Sequence, residues 1–276
     1  MTKIISMNNS FKKIYFHVGL AKTGSTFLQK NFFPYLKNIK YISTHSYKNC
    51  INIINKTNYD SYLISREFDR PLEQEIKKIS NVFPQTKIII VFRKHEKWIS
   101  SQFKRMSKNG WHWSFEQFYK NDNSGYWKHE DMNYIDKIRI VKKYTKNPLI
   151  LNFDELKLNP YIFLDKIKNY LNADYSKNKI SLNVVHKSWS EKQLIFLKKF
   201  CKIFKKHPPE YYPDDKIRHW LFYRPWWLLF HLVMYIGYFV PKSFIVKRPL
   251  IDDGYLKKCM KKYDNDWKEI LKISKS

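Results

Sequence analysis

Cysteine, glycine and acidic residues are all scarce in this chain of 276 residues. The three cysteines, Cys50, Cys201 and Cys259, lie far apart, so neither a disulfide framework nor a metal-binding spacing can be read from them. Near the start of the chain there is no continuous apolar run before a small-residue cleavage site. We therefore predict no signal peptide, and we expect the protein to stay in the reducing cytoplasm.

Acidic residues number 24 against 52 Lys and Arg, which leaves a formal net charge of +28. Because self-repulsion at this charge opposes compactness, we expect an anionic partner: nucleic acid, an anionic lipid surface, or a substrate rich in phosphate or sulfate. Lysine is spread along the whole chain, however, and a compositional bias accounts for the excess equally well. The ordinary content of hydrophobic residues, 43%, excludes a disordered chain. Composition thus predicts a basic globular protein and identifies no partner.

Short apolar runs alternate with amphipathic helical patterns along most of the chain. We predict strands over 14–18, 62–65, 87–92 and 149–151, and helices over 28–36, 71–83, 96–108, 133–144, 160–171 and 191–204. The run over 87–92 is apolar on both faces, as in a central parallel strand. This alternation predicts an α/β fold in which helices flank a central parallel sheet. We expect one domain over 1–276, with the α/β core over 14–207 and a helical, aromatic-rich C-terminal extension over 208–276.

The first predicted strand runs into the sequence GLAKTGST and then into a helix. A strand, a glycine-containing turn and a helix N-terminus together form a cradle for anions, because backbone N–H groups converge there. In the loop of nucleoside triphosphatases a lysine follows the second glycine, whereas here Ser25 follows Gly24 and the lysine is Lys22, inside the loop. After the strand over 87–92 stands Arg93 instead of an acidic residue that could hold magnesium. The loop is therefore P-loop-like, but it does not favour magnesium-dependent phosphoryl transfer.

The segment GLAKTGST resembles the 5′-phosphosulfate loop of sulfotransferases that use 3′-phosphoadenosine 5′-phosphosulfate (PAPS). In that family a later strand ends in Arg and a Ser follows eight residues on, a pattern that Arg93 and Ser101 match. The segment LNFDEL, followed by Asn159 and Pro160, resembles the family's Y-E-D-L…P segment. These three elements occur in the family's order over 14–204. The chain thus resembles a PAPS-dependent sulfotransferase of the bacterial type.

The resemblance implies the fold of that family and a set of site residues. The residues implied in binding PAPS are Lys22, Thr23, Gly24, Ser25, Thr26, Arg93 and Ser101. Lys22 would also be catalytic, because it would neutralise charge on the leaving oxygen, while Arg93 and Ser101 would bind the 3′-phosphate. The sulfuryl group carries less negative charge than a terminal phosphoryl group, so lysine and amides can suffice for its transfer. We therefore expect no metal ligands.

The acceptor hydroxyl needs a base to remove its proton. Glu67, just after the predicted strand over 62–65, resembles the catalytic glutamate of glycan-acting and bacterial members, although the family more often has a small residue at the position of Arg66. The alternative is that Glu67 forms a surface ion pair with a neighbouring arginine. His95, which also follows a strand, is the second candidate base, whereas His17 lies within a strand and is expected to be a core residue.

The most apolar segment, PWWLLFHLVMYIGYFVP over 225–241, has basic residues on both sides. Three interpretations stay open: a buried helix, a helix that lies in the membrane interface, and a membrane span, for which the segment is short. The Trp pair, the tyrosines and the basic flanks are typical of an interfacial helix.

The sequence thus predicts a sulfotransferase that moves a sulfuryl group from PAPS to a hydroxyl of a carbohydrate or glycolipid. We expect it in the cytoplasm or at the inner face of the membrane, with an anionic membrane surface as a possible second partner. A nucleotide kinase would share the fold but needs a lysine beside Ser25 and magnesium ligands. A nucleic-acid-binding protein would explain the charge, but no recognisable nucleic-acid module occurs, and we expect no nucleic-acid partner.

Overall fold

The computed structural model describes residues 12–183, 188–204, 209–210 and 215–275. Its strands are β1 (Lys13–His17), β2 (Lys40–Ile42), β3 (Ser61–Ser65), β4 (Lys87–Phe92) and β5 (Leu149–Asn152). Its α-helices are α1 (Ser25–Phe27), α2 (Cys50–Lys56), α3 (Leu72–Val82), α4 (His95–Lys108), α5 (Phe115–Phe118), α6 (His129–Met132), α7 (Tyr134–Tyr144), α8 (Phe153–Leu158), α9 (Pro160–Leu171), α10 (Glu191–Ile203), α11 (Lys216–Arg218), α12 (Arg224–Phe239), α13 (Lys242–Ile245), α14 (Asp253–Met260) and α15 (Asp264–Ile273). Residues 1–11, for which we predict no signal peptide, and the predicted boundary between 207 and 208 lie outside the described residues.

The strands form one parallel sheet in the order β2-β3-β1-β4-β5. From β1 the chain continues to β2 and β3 on one side, whereas from β4 it continues to β5 on the other side. Where neighbouring parallel strands lead off in opposite directions, a crevice that binds ligands opens at their carboxyl ends. The predicted α/β fold with a central parallel sheet is confirmed, and this strand order puts the expected crevice between the ends of β1 and β4.

Helices cover both faces of the sheet. On one face, Tyr15 and Val91 belong to a buried cluster that includes Phe163 of α9. On the other face, the ring of Phe92 lies 4.7 Å from the ring of Tyr134 on α7. Because the central strands are buried on both sides, their sequences show continuous apolar runs instead of an alternation of polar and apolar residues.

The described residues fall into two compact units. Of the described residues, the first unit contains 12–94, 133–183 and 265–275 and includes the sheet. The second contains 95–132, 188–204, 209–210 and 215–264, and its regular structure is helical. This division differs from the expected core over 14–207. The difference arises because the chain leaves the sheet after β4, and α4 packs against α10 and α14 in the second unit.

The segment predicted as one helix over 28–36 consists of shorter pieces. After α1, a π-helix runs from Leu28 to Phe32 and a 3₁₀ turn from Phe33 to Tyr35. Pro34 has no N–H, and its ring would clash with a carbonyl one turn earlier, so an α-helix cannot continue through it. The short strand β2 and the helix α2 were not predicted.

In the second unit, α10 and α12 pack against each other. The predicted capping box of Ser190 and Gln193 is present at the start of α10 and is confirmed. An added Cβ on Gly237 of α12 would lie 2.9 Å from the ring of Phe196 on α10, so the two helices approach closely there. Within the described residues, no helix combines the length and the hydropathy that crossing a bilayer requires.

Candidate functional site

The loop between β1 and α1, residues 19–24, has an uncommon backbone conformation. Lys22 and Gly24 have positive φ angles of 68° and 87°. This conformation costs a residue with a side chain about 1–2 kcal/mol, so contacts with the surroundings must hold the loop in shape. The hydroxyl of Thr23 donates to the carbonyl of Leu20 at 2.6 Å. An added Cβ on Gly24 would lie 2.7 Å from the ring of Phe153, so this glycine serves both the backbone angle and the packing.

The segment after β3 runs alongside this loop. The backbone N–H groups of Arg66 and Phe68 donate to the carbonyls of His17 and Gly19, at 3.0 and 3.3 Å. Glu67 lies between these two anchored residues and is half-buried. The backbone that carries the predicted base is therefore tied to the start of the predicted phosphate loop, at the same edge of the sheet.

Arg93 follows β4 and bonds directly to the loop. Its Nη1 donates to the carbonyl of Lys22 at 3.2 Å, and its guanidinium lies 5.0 Å from the centroid of the Phe153 ring. Burial lowers the pKa of Arg93 and the nearby Asp154 carboxylate opposes that shift, but an arginine remains a cation at neutral pH. Its Nε is buried and has no hydrogen-bond partner among the described residues. The guanidinium of Arg93 thus brings a positive charge to the crevice, and its Nε–H has no hydrogen-bond acceptor among the described residues.

His17, at the end of β1, lies beneath the loop and is fully buried. Its Nδ1 is 2.8 Å from the hydroxyl of Ser65, and its Nε2 has no partner among the described residues. Burial lowers the pKa of His17 to about 3, so the ring is neutral at physiological pH. An added Cβ on Gly19 would lie 2.7 Å from Nε2, which leaves room only for glycine there. The prediction of a core histidine is confirmed.

Most of the predicted site residues belong to the first unit, namely Lys22, Thr23, Gly24, Ser25, Thr26, Glu67 and Arg93. Thr23 is fully buried and its hydroxyl bonds within the loop, so this hydroxyl helps to hold the loop in shape, and the assignment of Thr23 to the donor stays a prediction. Ser101 and His95 lie on α4 and belong to the second unit. The buried His95 donates from Nε2 to the carbonyl of Met132 at 2.9 Å, and its ring stacks on Tyr263 at 4.9 Å. These contacts fix the orientation of the His95 ring, and its assignment as the second candidate base stays a prediction.

Asp69 holds the loop but was not singled out from the sequence. Its Oδ1 accepts a hydrogen bond from the N–H of Ala21 at 2.9 Å. Its carbonyl oxygen lies 3.4 Å from the Nζ of Lys137, a lysine of α7 that is itself buried. The sequence signal was weak: an aspartate two residues after Glu67 and a lysine in an amphipathic helix. Asp69 takes up one loop N–H that could otherwise face a phosphate.

The remaining groups of the loop fit an anionic ligand. A buried N–H without a partner costs about 1–3 kcal/mol, and an anionic oxygen beside the Nε of Arg93 would remove that cost. Lys22 is exposed at the loop, and the half-buried Thr26 lies in the first turn after it. The hydroxyl of Ser25 makes only a long bond of 3.3 Å to the carbonyl of Leu20. The cations of Lys22 and Arg93 and the hydroxyl groups of Ser25 and Thr26 thus lie in the loop or directly beside it, as the phosphosulfate and phosphate groups implied by the sequence resemblance would require.

Comparison with protein-family models gives no match, and no curated protein matches the chain. Among solved structures, it is similar to a sulfotransferase from Alicyclobacillus acidocaldarius, with 13% identity over 70% of this chain and 92% of that one, and a TM-score of 0.48. It is also similar to mouse sulfotransferase SULT7A1 complexed with PAP, with 14% identity over 92% and 91% of the two chains and a TM-score of 0.43. Both neighbours are sulfotransferases. Because both TM-scores are below 0.5, neither likeness supports an activity, which must be inferred from the residues.

Proposed function

We propose that this chain is a sulfotransferase that moves a sulfuryl group from PAPS to a hydroxyl group of a carbohydrate or glycolipid. The observation that carries the proposal is the bond from Arg93 to the carbonyl of Lys22. It joins the loop after β1 to the end of β4, at the crevice where open parallel sheets bind ligands. A kinase would need a lysine beside Ser25, and Lys22 instead occupies the position that resembles the sulfotransferase loop.

The donor would be held by groups at both sides of the crevice. The 5′-phosphosulfate fits the loop amides, Lys22 and the hydroxyls of Ser25 and Thr26, because N–H groups and a cation converge there. The 3′-phosphate fits Arg93, whose planar fork can bind two phosphate oxygens at once. Ser101 is proposed as a second 3′-phosphate ligand on the strength of the sequence resemblance alone.

The residues would divide the work of an in-line displacement. When bound, the donor supplies the activated sulfuryl group. Lys22 would neutralise the negative charge that grows on the leaving phosphate oxygen, which is the usual role of a fixed cation in such a site. Glu67 would orient the acceptor hydroxyl and accept its proton, because a half-buried carboxylate beside the crevice can act as a general base.

The acceptor class rests on the resemblance of Glu67 to the glutamate of glycan-acting members. The positive charge of the chain, +28, would also attract acceptors that already carry phosphate or sulfate. We place the reaction on the cytoplasmic side of a membrane.

Binding and transfer can be tested separately. In the presence of EDTA, calorimetric titration with 3′,5′-bisphosphoadenosine should show tight binding, whereas ATP without magnesium should bind weakly. Incubation with PAPS that carries radioactive sulfur and with cell extracts should label glycans or glycolipids. Failure to bind bisphosphoadenosine would exclude the donor. Labelled protein instead of glycan would overturn the acceptor class while leaving the donor intact.

A further inference from the structure

The helix α12 has apolar side chains on two opposite faces. One face, with Phe230, Val233, Met234 and Gly237, is buried in the second unit. Contacts with α10 fix this face inward: Gly237 packs on Phe196, and the side-chain amide of Gln193 donates to the carbonyl of Met234 at 3.2 Å. The orientation of α12 about its own axis is therefore set by the buried face.

The opposite face of α12 is exposed although it is equally apolar. It consists of Leu228, Leu232, Tyr235, Ile236 and Phe239, which are between 48% and 81% exposed. Their spacing of four, seven, eight and eleven residues from Leu228 places them on one stripe of the helix. We call this stripe the α12 surface. A large contiguous apolar patch on a protein surface marks a site of interaction.

The segments before and after α12 extend this exposed apolar character. Ile217 and Trp220 precede the helix and Phe244 follows it, and each of the three is more than two-thirds exposed. By contrast, Trp226 and Trp227, the pair that the sequence associated with a membrane interface, are half-buried. The ring of Trp227 lies 3.9 Å from that of His231. The exposed apolar side chains thus belong to the α12 surface and its flanking segments, and not to the Trp pair.

The segment of the chain that carries the α12 surface has charged side chains of one sign. No Asp or Glu occurs between Lys216 and Ile251, a stretch that carries the basic residues Lys216, Arg218, Arg224, Lys242, Lys247 and Arg248. The acidic residue just before it, Asp215, lies 3.4 Å from the guanidinium of Arg218. If a second copy of this chain docked on the same surface, its basic residues would repel those of the first copy. An anionic lipid surface instead complements them, because each Lys or Arg near such a surface is attracted to it.

We propose that the α12 surface lies on an anionic lipid bilayer. The helix would lie in the plane of the interface, with Leu232, Ile236 and Phe239 inserted at the boundary between headgroups and acyl chains. Arg224 and Lys242, at the two ends of the helix, would contact the headgroups. This proposal does not depend on the sulfotransferase activity, so each can fail without the other.

Co-sedimentation of the full chain with lipid vesicles tests this proposal. The chain should bind vesicles of phosphatidylglycerol and phosphatidylcholine, bind phosphatidylcholine alone far more weakly, and dissociate as the NaCl concentration rises. The double variant Leu232→Ser/Phe239→Ser should bind about a hundredfold more weakly, since each inserted side chain contributes about tenfold. The matched control is Leu158→Ser/Ile162→Ser, which removes two side chains that are 76% and 59% exposed on α8 and α9. It should bind like the original chain.

Thermal unfolding checks that both double variants stay folded. If the variant of the α12 surface unfolds, Lys242→Ala/Lys247→Ala takes its place, and each lost lysine should weaken vesicle binding about fivefold. Three results would overturn the proposal: equal binding by the variants, equal binding to vesicles without anionic lipid, or no binding to any vesicle. If the chain binds no vesicle and forms a dimer that the double variant abolishes, the α12 surface is an interface between two copies of the chain.

Discussion

Replacing Arg93 with alanine should reduce the preference of the chain for adenosine nucleotides that carry a 3′-phosphate. Arg93 is half-buried with its guanidinium 5.0 Å from the centroid of the Phe153 ring, and its buried Nε lacks a partner among the described residues. A hydrogen bond between a charged donor and a phosphate in such a site contributes about 1.5–3 kcal/mol. Arg93→Ala should therefore weaken binding of 3′,5′-bisphosphoadenosine by about 10- to 150-fold.

The measurement is calorimetric titration with 3′,5′-bisphosphoadenosine and with adenosine 5′-phosphate. The ratio of the two dissociation constants isolates the 3′-phosphate, because the loss of the bond to the Lys22 carbonyl affects both ligands alike. Arg93→Lys should restore part of the ratio, since it keeps the charge but loses the planar fork. The matched control is Arg139→Ala, which removes a 72% exposed arginine that pairs with Asp136 in the same unit.

Arg139→Ala should leave the ratio unchanged, because an exposed charge is screened over a Debye length of about 8 Å at physiological salt. An unchanged ratio in Arg93→Ala would refute the assignment of the 3′-phosphate to Arg93. An equal change in both variants would mean that the bulk charge, and not the crevice, selects the nucleotide.

Three further predictions concern turnover and stability. Lys22→Ala should lower kcat by about 10²–10³-fold in a radiolabel transfer assay, because the leaving oxygen loses its cation. The control Lys30→Ala, which removes another exposed lysine, should leave kcat near that of the original chain. Glu67→Gln should lower kcat by about 10²–10⁴-fold with donor affinity unchanged; activity within a few-fold of the original would remove Glu67 from the mechanism and make His95→Ala the next test. Burial lowers the pKa of His17 to about 3, below its value of about 6.5 in an unfolded chain, so protonation favours unfolding. The free energy of unfolding should fall by up to about 1.4 kcal/mol per pH unit below pH 6.5, and urea titrations at pH 7 and 5 should show a smaller fall in His17→Asn.

Individual strands and helices were predictable where the local sequence pattern alone determines them. The strand β4 was predicted over 87–92 and lies at Lys87–Phe92, because a run that is apolar on both faces fits only a buried strand or helix and its length favours a strand. The helix α9 begins at Pro160, as the preceding Asn159 and the proline predict. The strand β2 has only three residues, and it exists through its pairing with β3, which no local pattern reveals.

The division into two units could not be read from the sequence for the same reason. The residues after β4 look like a continuation of the alternating pattern. They join the second unit because α4 packs on α10 and α14, helices that lie far along the chain. Such contacts depend on shape complementarity between distant segments, which periodicity does not encode.

At the candidate site, the sequence located the groups that follow strands but not the contacts that hold them. Lys22 and Arg93 were expected in one site because both match the pattern with which the resembled family binds its donor. The bond from the N–H of Ala21 to Asp69 joins residues 48 apart and was not foreseen. The bond from the hydroxyl of Thr23 to the carbonyl of Leu20 was not foreseen either.

These contacts explain how a lysine can hold a left-handed backbone conformation in the loop. Lys22 has a φ of 68°, at a cost of about 1–2 kcal/mol, and such strain persists only where the surroundings fix it. Asp69 accepts a hydrogen bond from the N–H of Ala21, the residue before Lys22. Thr23, the residue after Lys22, donates its hydroxyl to the carbonyl of Leu20, and Arg93 donates to the carbonyl of Lys22 itself. All of these bonds lie within the first unit, so side chains of the chain itself hold the loop in this shape. A loop that is held in this way needs less ordering when a ligand binds, which leaves more of the binding free energy for discrimination between nucleotides.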